Sequence, residues 1–217
     1  TAGYTCAGWW TAATGGTQVT ASTALPTSNK TYYAHWSLNP YAITYDLAGG
    51  TVSGNPTTYD VTTTTFTLKN PTRTGYAFAG WSGTGLSGSA NKTVTIAKGS
   101  TGNRAYTANW TANSYTVEYW DKAGATKLSS DTGFRYDTAR ALAGKPSSGL
   151  STGYAALGWA RSAGQSSAAY GFGSSQSNLA TSGTVALYLA ERPNAYTVVF
   201  EPNGGTGAPF ADIAATY

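Results

Sequence analysis

A seven-residue pattern, Gly-Tyr followed by three variable residues and Gly-Trp, occurs three times in this 217-residue chain, at residues 3–9, 75–81 and 153–159. A second pattern, Tyr-x-aliphatic-x-aromatic, alternates with it and begins at Tyr41, Tyr115 and Tyr196. Such regular self-similarity is the signature of a tandem array of small modules. A side chain that recurs in every module is therefore expected to serve the module's core. One that occurs in a single module is a poor candidate for chemistry performed by the whole chain.

The two patterns divide the chain into repeats. Residues 41–110 and 115–191 hold both patterns and are predicted to be complete repeats, the second of them divergent. Residues 1–36 correspond to the C-terminal half of a repeat, and residues 196–217 to the N-terminal half. Each joint is four residues long, and a flexible linker of that length spans only about 10–12 Å. Neighbouring repeats are thus expected to touch and to form an elongated, semi-rigid array. The joints are residues 37–40, 111–114 and 192–195.

The composition predicts a mainly β fold. Aromatic residues make up 13% of the chain and charged residues 10%, so bulky rings must supply the apolar area of each small core. Frequent Thr residues and strict alternation along the opening segments favour strands. Two stretches are candidates for a short helix, about 60–68 and 137–143. The second fits better because Asp137 would cap it and Gly144 would end it. The expected fold is therefore mainly β, α+β at most.

The Gly-Tyr-x-x-x-Gly-Trp pattern is predicted to be structural. Its aromatic residues recur in fixed phase with the turns and the strand ends, which is the behaviour of core positions. We therefore expect every aromatic of the pattern to be buried in its own repeat. These residues are Tyr4, Tyr76 and Tyr154, with Trp9, Trp81 and Trp159.

Several functional classes are disfavoured by the residues present. A catalytic or metal site built on histidine would have to use His35, the only His, and the carboxylates are dispersed without calcium-loop spacing. We expect no catalysis, no metal and no cofactor. The basic residues that give the net charge of +4 are scattered singly, which disfavours nucleic acid as a partner. The sequence has no apolar run of about 18 residues, so no membrane span is predicted. The missing initiator Met and signal peptide suggest a mature or excised segment.

Four aromatic residues lie outside the shared core pattern or on the polar face of a strand. Exposed rings can stack on sugars or on a protein partner. The alternative is that they pack against the adjacent repeat across the short joint, and the sequence leaves both interpretations open. The candidate contact residues are Trp10, Tyr33, Trp120 and Tyr170.

Residues 41–51 (Tyr-x-Ile-Thr-Tyr-Asp-x-x-Gly-Gly-Thr), 71–81 (Pro-Thr-Arg-Thr-Gly-Tyr-x-Phe-x-Gly-Trp) and 108–110 (Ala-x-Trp) resemble the Listeria–Bacteroides repeat. That family includes the B repeat of internalin-type bacterial surface proteins. The resemblance implies a β-grasp-like module strung in tandem on extracellular, cell-surface proteins, where it acts without catalysis as a stalk or adhesive module. Residues 115–191 depart from the pattern, which argues against a ligand site common to all repeats. The departures are Trp120, Ala156 and Glu191.

Three functions remain open at this stage. The favoured one is a semi-rigid stalk or adhesin repeat whose partners are the neighbouring repeats and a host or bacterial surface protein or glycan. The second is a filament subunit, in which residues 196–217 of one copy complete residues 1–36 of another. A plainer reading of these half-repeats is that the boundaries cut through a longer array. The third function is a carbohydrate-binding module.

Overall fold

The computed structural model describes residues 1–201, 203–204 and 213–216. This part of the chain contains seventeen β-strands and no helix, so the mainly β prediction is confirmed. It forms two compact units, Thr1–Arg73 with Ala77–Thr111 and Thr74–Tyr76 with Ala112–Tyr217. Because the described residues include no helix, they include none long and apolar enough to cross a membrane.

A three-stranded antiparallel sheet begins the first unit. Its strand order is β2-β1-β3, so the strand that carries the first Gly-Tyr-x-x-x-Gly-Trp pattern lies in the middle. The strands are β1 (Tyr4–Trp10), β2 (Gln18–Val19) and β3 (Tyr33–Leu38).

Residues 41–112 form a four-stranded sheet and a two-stranded sheet. The larger sheet consists of β4 (Tyr41–Asp46), β5 (Thr58–Tyr59), β7 (Tyr76–Gly83) and β9 (Arg104–Ala112). Its order is β5-β4-β9-β7, and the central pair β4 and β9 is parallel. The smaller sheet pairs β6 (Phe66–Thr67) with β8 (Thr95–Ile96). Strand β7 begins at Tyr76, which belongs to the second unit, whereas its other residues belong to the first.

The second unit repeats this topology. Its large sheet has the order β11-β10-β15-β13, again with a parallel central pair. Its strands are β10 (Ser114–Trp120), β11 (Lys127–Arg135), β13 (Tyr154–Ala160) and β15 (Gly183–Pro193). A small sheet pairs β12 (Arg140–Ala141) with β14 (Ser175–Gln176), and another pairs β16 (Ala195–Val198) with β17 (Ile213–Thr216).

Each four-stranded sheet has its own aromatic core. Trp81 is fully buried in the first core and Trp159 is 1% exposed in the second, so the core prediction is confirmed for both. The indole N–H of Trp81 donates to the Asn70 Oδ1 atom at 3.1 Å, and that of Trp159 to the Ala143 carbonyl at 2.8 Å. Each ring thus joins its large sheet to the segment beside the small one.

The core prediction is wrong for four other pattern residues. Tyr4, Tyr76 and Tyr154 are half-buried and absent from the core clusters, because each lies at the first position of its strand, at the end of the sheet. Trp9 is 55% exposed. It lies in the three-stranded sheet, where residues 1–38 supply no counterpart of the strand β4 that helps to bury Trp81.

Both glycines of the pattern are required by the backbone. The first glycine has a φ of +78° in all three copies, a left-handed conformation that costs other residues free energy. The second glycine also has positive φ, and in β1 and β13 it lies at a β-bulge. A Cβ atom on Gly80 would lie 2.4 Å from the Ala90 carbonyl carbon, and one on Gly158 would lie 2.3 Å from the Tyr170 carbonyl oxygen. The pattern therefore encodes a turn, a strand, a bulge and an adjoining tryptophan.

The predicted helices at 60–68 and 137–143 are absent, and that prediction is wrong. In the first stretch, the Asp60 carboxylate accepts hydrogen bonds from the backbone N–H groups of Thr62 (2.8 Å) and Thr63 (3.0 Å). This side chain closes a single turn, as Asp side chains commonly do. The β-branched residues that follow favour the strand β6 over a continued helix.

The second stretch fails as a helix at its first residue. Asp137 has a φ of +56°, outside the right-handed helical region, and its N–H donates to the Asn178 Oδ1 atom at 2.6 Å. Arg140 and Ala141 then enter strand β12. A favourable capping sequence was overridden by a tertiary contact 41 residues away in sequence.

Candidate functional site

Two of the four candidate contact residues lie side by side on the three-stranded sheet. Trp10 and Tyr33 are directly opposed across β1 and β3, and Tyr33 is 41% exposed. The Trp10 ring stacks on the His35 ring with centroids 4.3 Å apart and an interplanar angle of 6°. His35 Nε2 lies 3.0 Å from the Ala12 carbonyl oxygen. We call Trp10, Tyr33 and His35 the Trp10 face; it offers a partner a flat aromatic surface with polar edges.

The other face of the same sheet is also aromatic. Trp9 and Trp36 are 55% and 48% exposed, and their counterparts in residues 41–110 are Trp81 and Trp110, which pack in or against a core. We call Trp9 and Trp36 the Trp9 face. Sequence reasoning placed Trp9 in a core, and only the lack of a covering strand in residues 1–38 makes this surface accessible.

The other two candidate residues are largely engaged within the second unit. The backbone of Tyr170 bridges that of Trp159, and the Tyr170 ring packs against the core beneath the Arg161 guanidinium, at 5.2 Å. Trp120 is half-buried, and the Lys127 ammonium lies 6.0 Å from its ring. In the described part of the unit, no ring contact or hydrogen bond joins Trp120 to Tyr170. A role for these four residues in binding stays a prediction.

Sequence reasoning missed a polar cluster around Glu191 of strand β15. Glu191, at the position of Trp110, is completely buried. Its two carboxylate oxygens accept hydrogen bonds from Ser151, one from the backbone N–H at 2.9 Å and one from Oγ–H at 2.6 Å. Lys122 Nζ donates to the Glu191 carbonyl at 2.9 Å and lies 4.7 Å from the centre of the Tyr154 ring. The sequence signal that could have revealed this cluster was Glu191 itself, a carboxylate at the position that Trp110 holds in residues 41–110.

The corresponding region of the first unit is built differently. In the first unit, the Trp110 indole packs on Gly50 and donates its N–H to the Leu47 carbonyl at 3.0 Å. In the second unit, a cleft of about 500 Å³ lies beside Lys122 and Ser151. The extra residues before Gly153 form one wall of this cleft. They include Gly149, Leu150 and Ser151.

Several ionisable groups in the described part of the chain have shifted pKa values with clear structural causes. Desolvation, then the neighbouring Tyr106, raises the pKa of Tyr45 to about 12, so that this phenol stays protonated and donates to the Pro56 carbonyl. The hydrogen bond from Arg140 lowers the pKa of Asp131. Among the described residues, no group of three His, Cys, Asp or Glu side chains could hold a metal ion.

The joints share a hydrogen bond that sequence reasoning overlooked. The third residue of every joint is Asn, and its backbone N–H donates to the carbonyl of the first glycine of the preceding Gly-Tyr-x-x-x-Gly-Trp pattern. The donor–acceptor distance is 2.9 Å in each case. The pairs are Asn39 with Gly3, Asn113 with Gly75, and Asn194 with Gly153.

Further contacts surround the Asn113 joint inside the second unit. The Tyr136 ring meets the Tyr76 ring edge to face, with centroids 5.6 Å apart. The Tyr76 hydroxyl donates to the Asp137 carboxylate, whose other oxygen accepts a hydrogen bond from the Asn178 amide at 2.8 Å. The Tyr136 N–H donates to the Asn113 carbonyl at 2.9 Å. These contacts hold residues 74–76 in the second unit, although residues 77–111, which come next in the chain, belong to the first.

Comparison with known proteins finds one matching family model and similarity to an internalin. Residues 1–35 and 41–105 match the family model of the Listeria-Bacteroides repeat domain. Internalin H of Listeria monocytogenes serovar 1/2a is 38% identical over 82 residues, which cover 36% of this chain and 14% of internalin H. The matched region therefore spans about a seventh of the length of that relative.

Proposed function

We propose that the chain is a non-catalytic repeat region of a bacterial surface protein, acting as a semi-rigid stalk or adhesin module. The match of residues 1–35 and 41–105 to the Listeria-Bacteroides repeat domain supports this proposal. The observation that carries the proposal is the Asn-to-Gly hydrogen bond that recurs at all three joints. A joint fixed in the same way each time favours repeats that follow one another in a regular manner. The similarity to internalin H supports an extracellular, cell-surface location.

We also propose that residues 115–191 are a divergent member of the same repeat and that each complete repeat is β-grasp-like. Both large sheets have the strand order second-first-fourth-third, with the first and fourth strands parallel. A β-grasp sheet has this order, with a helix on the connection between its two halves. Here the short strands β6 and β12 occupy that connection. The domain boundaries 1–36, 41–110, 115–191 and 196–217 follow from this assignment.

Small-angle scattering of the purified chain tests the stalk. An extended particle with a defined cross-section is expected, and its maximum dimension should increase by a constant step when one more copy of residues 41–114 is inserted. A compact particle, or a profile typical of a randomly flexing chain, would contradict the proposal. The variant with the inserted copy serves as an internal ruler, because a stalk lengthens in proportion to its repeats.

A second candidate function is head-to-tail assembly between copies. The exposed Trp9 face presents the residues that a first strand covers in residues 41–110. In the opposite terminal region, Tyr196 and Val198 are exposed on strand β16, and Phe200 is exposed just after it. Native mass spectrometry should then find oligomers that disappear in Val198→Asp. Thr197→Asp, on the alternate face of β16, is the matched control. A monomer at all concentrations would exclude this function.

The partner of an adhesin would be a host or bacterial surface protein or a glycan. The Trp10 face has the geometry for sugar stacking, and a glycan array tests it directly. Specific binding that is lost in Tyr33→Ala would favour a carbohydrate-binding module. The stalk function predicts no specific signal.

A further inference from the structure

The first two residues of the Gly-Tyr-x-x-x-Gly-Trp pattern lie at joints and not in a core. In the first two copies, the glycine has a specific neighbour. A Cβ atom on Gly3 would lie 2.1 Å from Cγ1 of Val61. A Cβ atom on Gly75 would lie 2.3–2.5 Å from three ring atoms of Tyr136. Real Cβ contacts are never this short, so each glycine accommodates the side chain that covers it.

Val61 and Tyr136 hold the same position in their respective segments. The register pairs Tyr41 with Tyr59 and Tyr115 with Phe134, which makes Tyr59 and Phe134 equivalent. Val61 and Tyr136 each lie two residues further along the chain. The glycine and the side chain that covers it are therefore a recurring pair with one partner on each side of a joint.

From this recurrence we propose that the Gly-Tyr pair, together with the Asn of the joint, is a docking site for the next repeat. In that repeat, the residue two positions after the partner of the opening Tyr covers the glycine. The proposal rests on the stalk function and specifies how its repeats are joined. It assigns Val61 to the site at Gly3 and Tyr136 to the site at Gly75.

The contacts at the second site are those of a specific interface. The Tyr136 ring covers Gly75 and meets the Tyr76 ring edge to face, a favourable geometry for aromatic pairs. The Asn113 backbone donates to Gly75 and accepts from Tyr136, while its side-chain amide donates to the Thr181 carbonyl at 2.9 Å. A single joint residue thus links the end of one repeat to two places in the next.

The tyrosine of the site adds a charge-assisted hydrogen bond. Asp137 and Asn178 both have positive φ, 56° and 58°, and each bonds the other. This pair positions the Asp137 carboxylate that accepts the Tyr76 hydroxyl. Two residues held in an unfavourable backbone conformation indicate that the surrounding contacts compensate for the strain. Tyr76→Phe should weaken the site while leaving the edge-to-face contact in place.

Amide hydrogen exchange in the full chain tests the docking. In Tyr136→Ala, the amides of Asn113 and residue 136 should exchange about tenfold faster, since the ring that covers their hydrogen bonds is gone. The amide of Trp159, which lies in the core of the same unit, should keep its rate. Tyr136→Phe, which retains the ring, is the matched control and should behave like the wild type.

A double-substitution cycle separates the steric conflict at Gly75 from the strain of its backbone conformation. Gly75→Ala introduces both a positive-φ penalty and the steric conflict with Tyr136, whereas Gly99→Ala introduces only the former, because no neighbouring atom lies within 4 Å of that site. Gly75→Ala should therefore accelerate Asn113 exchange far more than Gly99→Ala does. Combining it with Tyr136→Ala should reduce the additional effect, since the steric conflict is relieved.

Two outcomes would overturn the docking proposal. One is an unchanged rate of Asn113 exchange in Tyr136→Ala, and the other is an equal effect of Gly75→Ala with and without Tyr136. Scattering separates the two proposals: an extended particle with unchanged exchange refutes docking alone, and a compact particle with altered exchange refutes the stalk alone.

Discussion

The buried Glu191 carboxylate allows a quantitative prediction for the second unit. Ser151 supplies both of its hydrogen bonds, and the Oγ–H bond of 2.6 Å is of the short, charge-assisted type. Ser151→Ala removes this bond and keeps the backbone one. Hydrogen bonds to charged groups contribute about 1.5–3 kcal/mol each. The carboxylate is completely buried, but Ser151 is exposed and lines the neighbouring cleft, so water partly replaces the lost donor. We therefore expect a loss of about 1.5 kcal/mol in the free energy of unfolding.

The assay is urea denaturation, followed separately in the two units by hydrogen exchange at the amides of Trp81 and Trp159. Both amides form backbone hydrogen bonds of 2.8 Å, so they report on cores of similar construction. The loss should appear at Trp159 and not at Trp81. Ser148→Ala is the control, since Ser148 is exposed in the same loop and its substitution should change stability by no more than about 0.5 kcal/mol.

A cycle with Glu191→Gln tests the cause. The amide has the same size as the carboxylate but replaces one acceptor with a donor, so it cannot accept both hydrogen bonds from Ser151. Ser151→Ala should therefore cost less in the Glu191→Gln background than in the wild type. A loss below about 0.5 kcal/mol in the single variant, or strict additivity of the two substitutions, would refute the reasoning.

Three further predictions concern other parts of the molecule. Gly158→Ala should destabilise the second unit by more than about 2 kcal/mol, because its Cβ would lie 2.3 Å from the Tyr170 carbonyl oxygen, whereas Gly164→Ala, with open space around it, should cost about 1 kcal/mol; equal losses in thermal unfolding would contradict this. The pKa of Asp131 is lowered in the folded state by Arg140, so its contribution is present above the ordinary aspartate pKa and is lost as the pH falls through the folded value. The stability difference between wild type and Asp131→Asn should accordingly vanish in acid denaturation series. Finally, Tyr33→Ala should leave the stability within about 0.5 kcal/mol of wild type, since its side chain is exposed, and a larger loss in thermal unfolding would show that the Trp10 face has a structural role.

Much of the fold was available from the sequence because it depends on local and repeated signals. Alternation predicted the opening strands at Tyr41 and Tyr115, and recurrence placed Trp81 and Trp159 in their cores. The helix at 137–143 was wrong since local capping preference was outweighed by the contact between Asp137 and Asn178, which no local pattern reveals. The candidate contact residues remain a prediction, although the structure brings Trp10 and Tyr33 together on one surface.

The sequence by itself determined the repetition and the mainly β fold, because both follow from backbone preferences and periodicity within a short window. Only the tertiary structure decided what the pattern's tyrosine does. The sequence pattern around Tyr76 predicts a core residue. In the structure, however, Tyr76 lies at the end of its sheet and contacts Tyr136 and Asp137. Whether a recurring aromatic faces its own core or the next repeat depends on how strands end and joints turn. Those features are fixed by contacts between residues far apart in the chain.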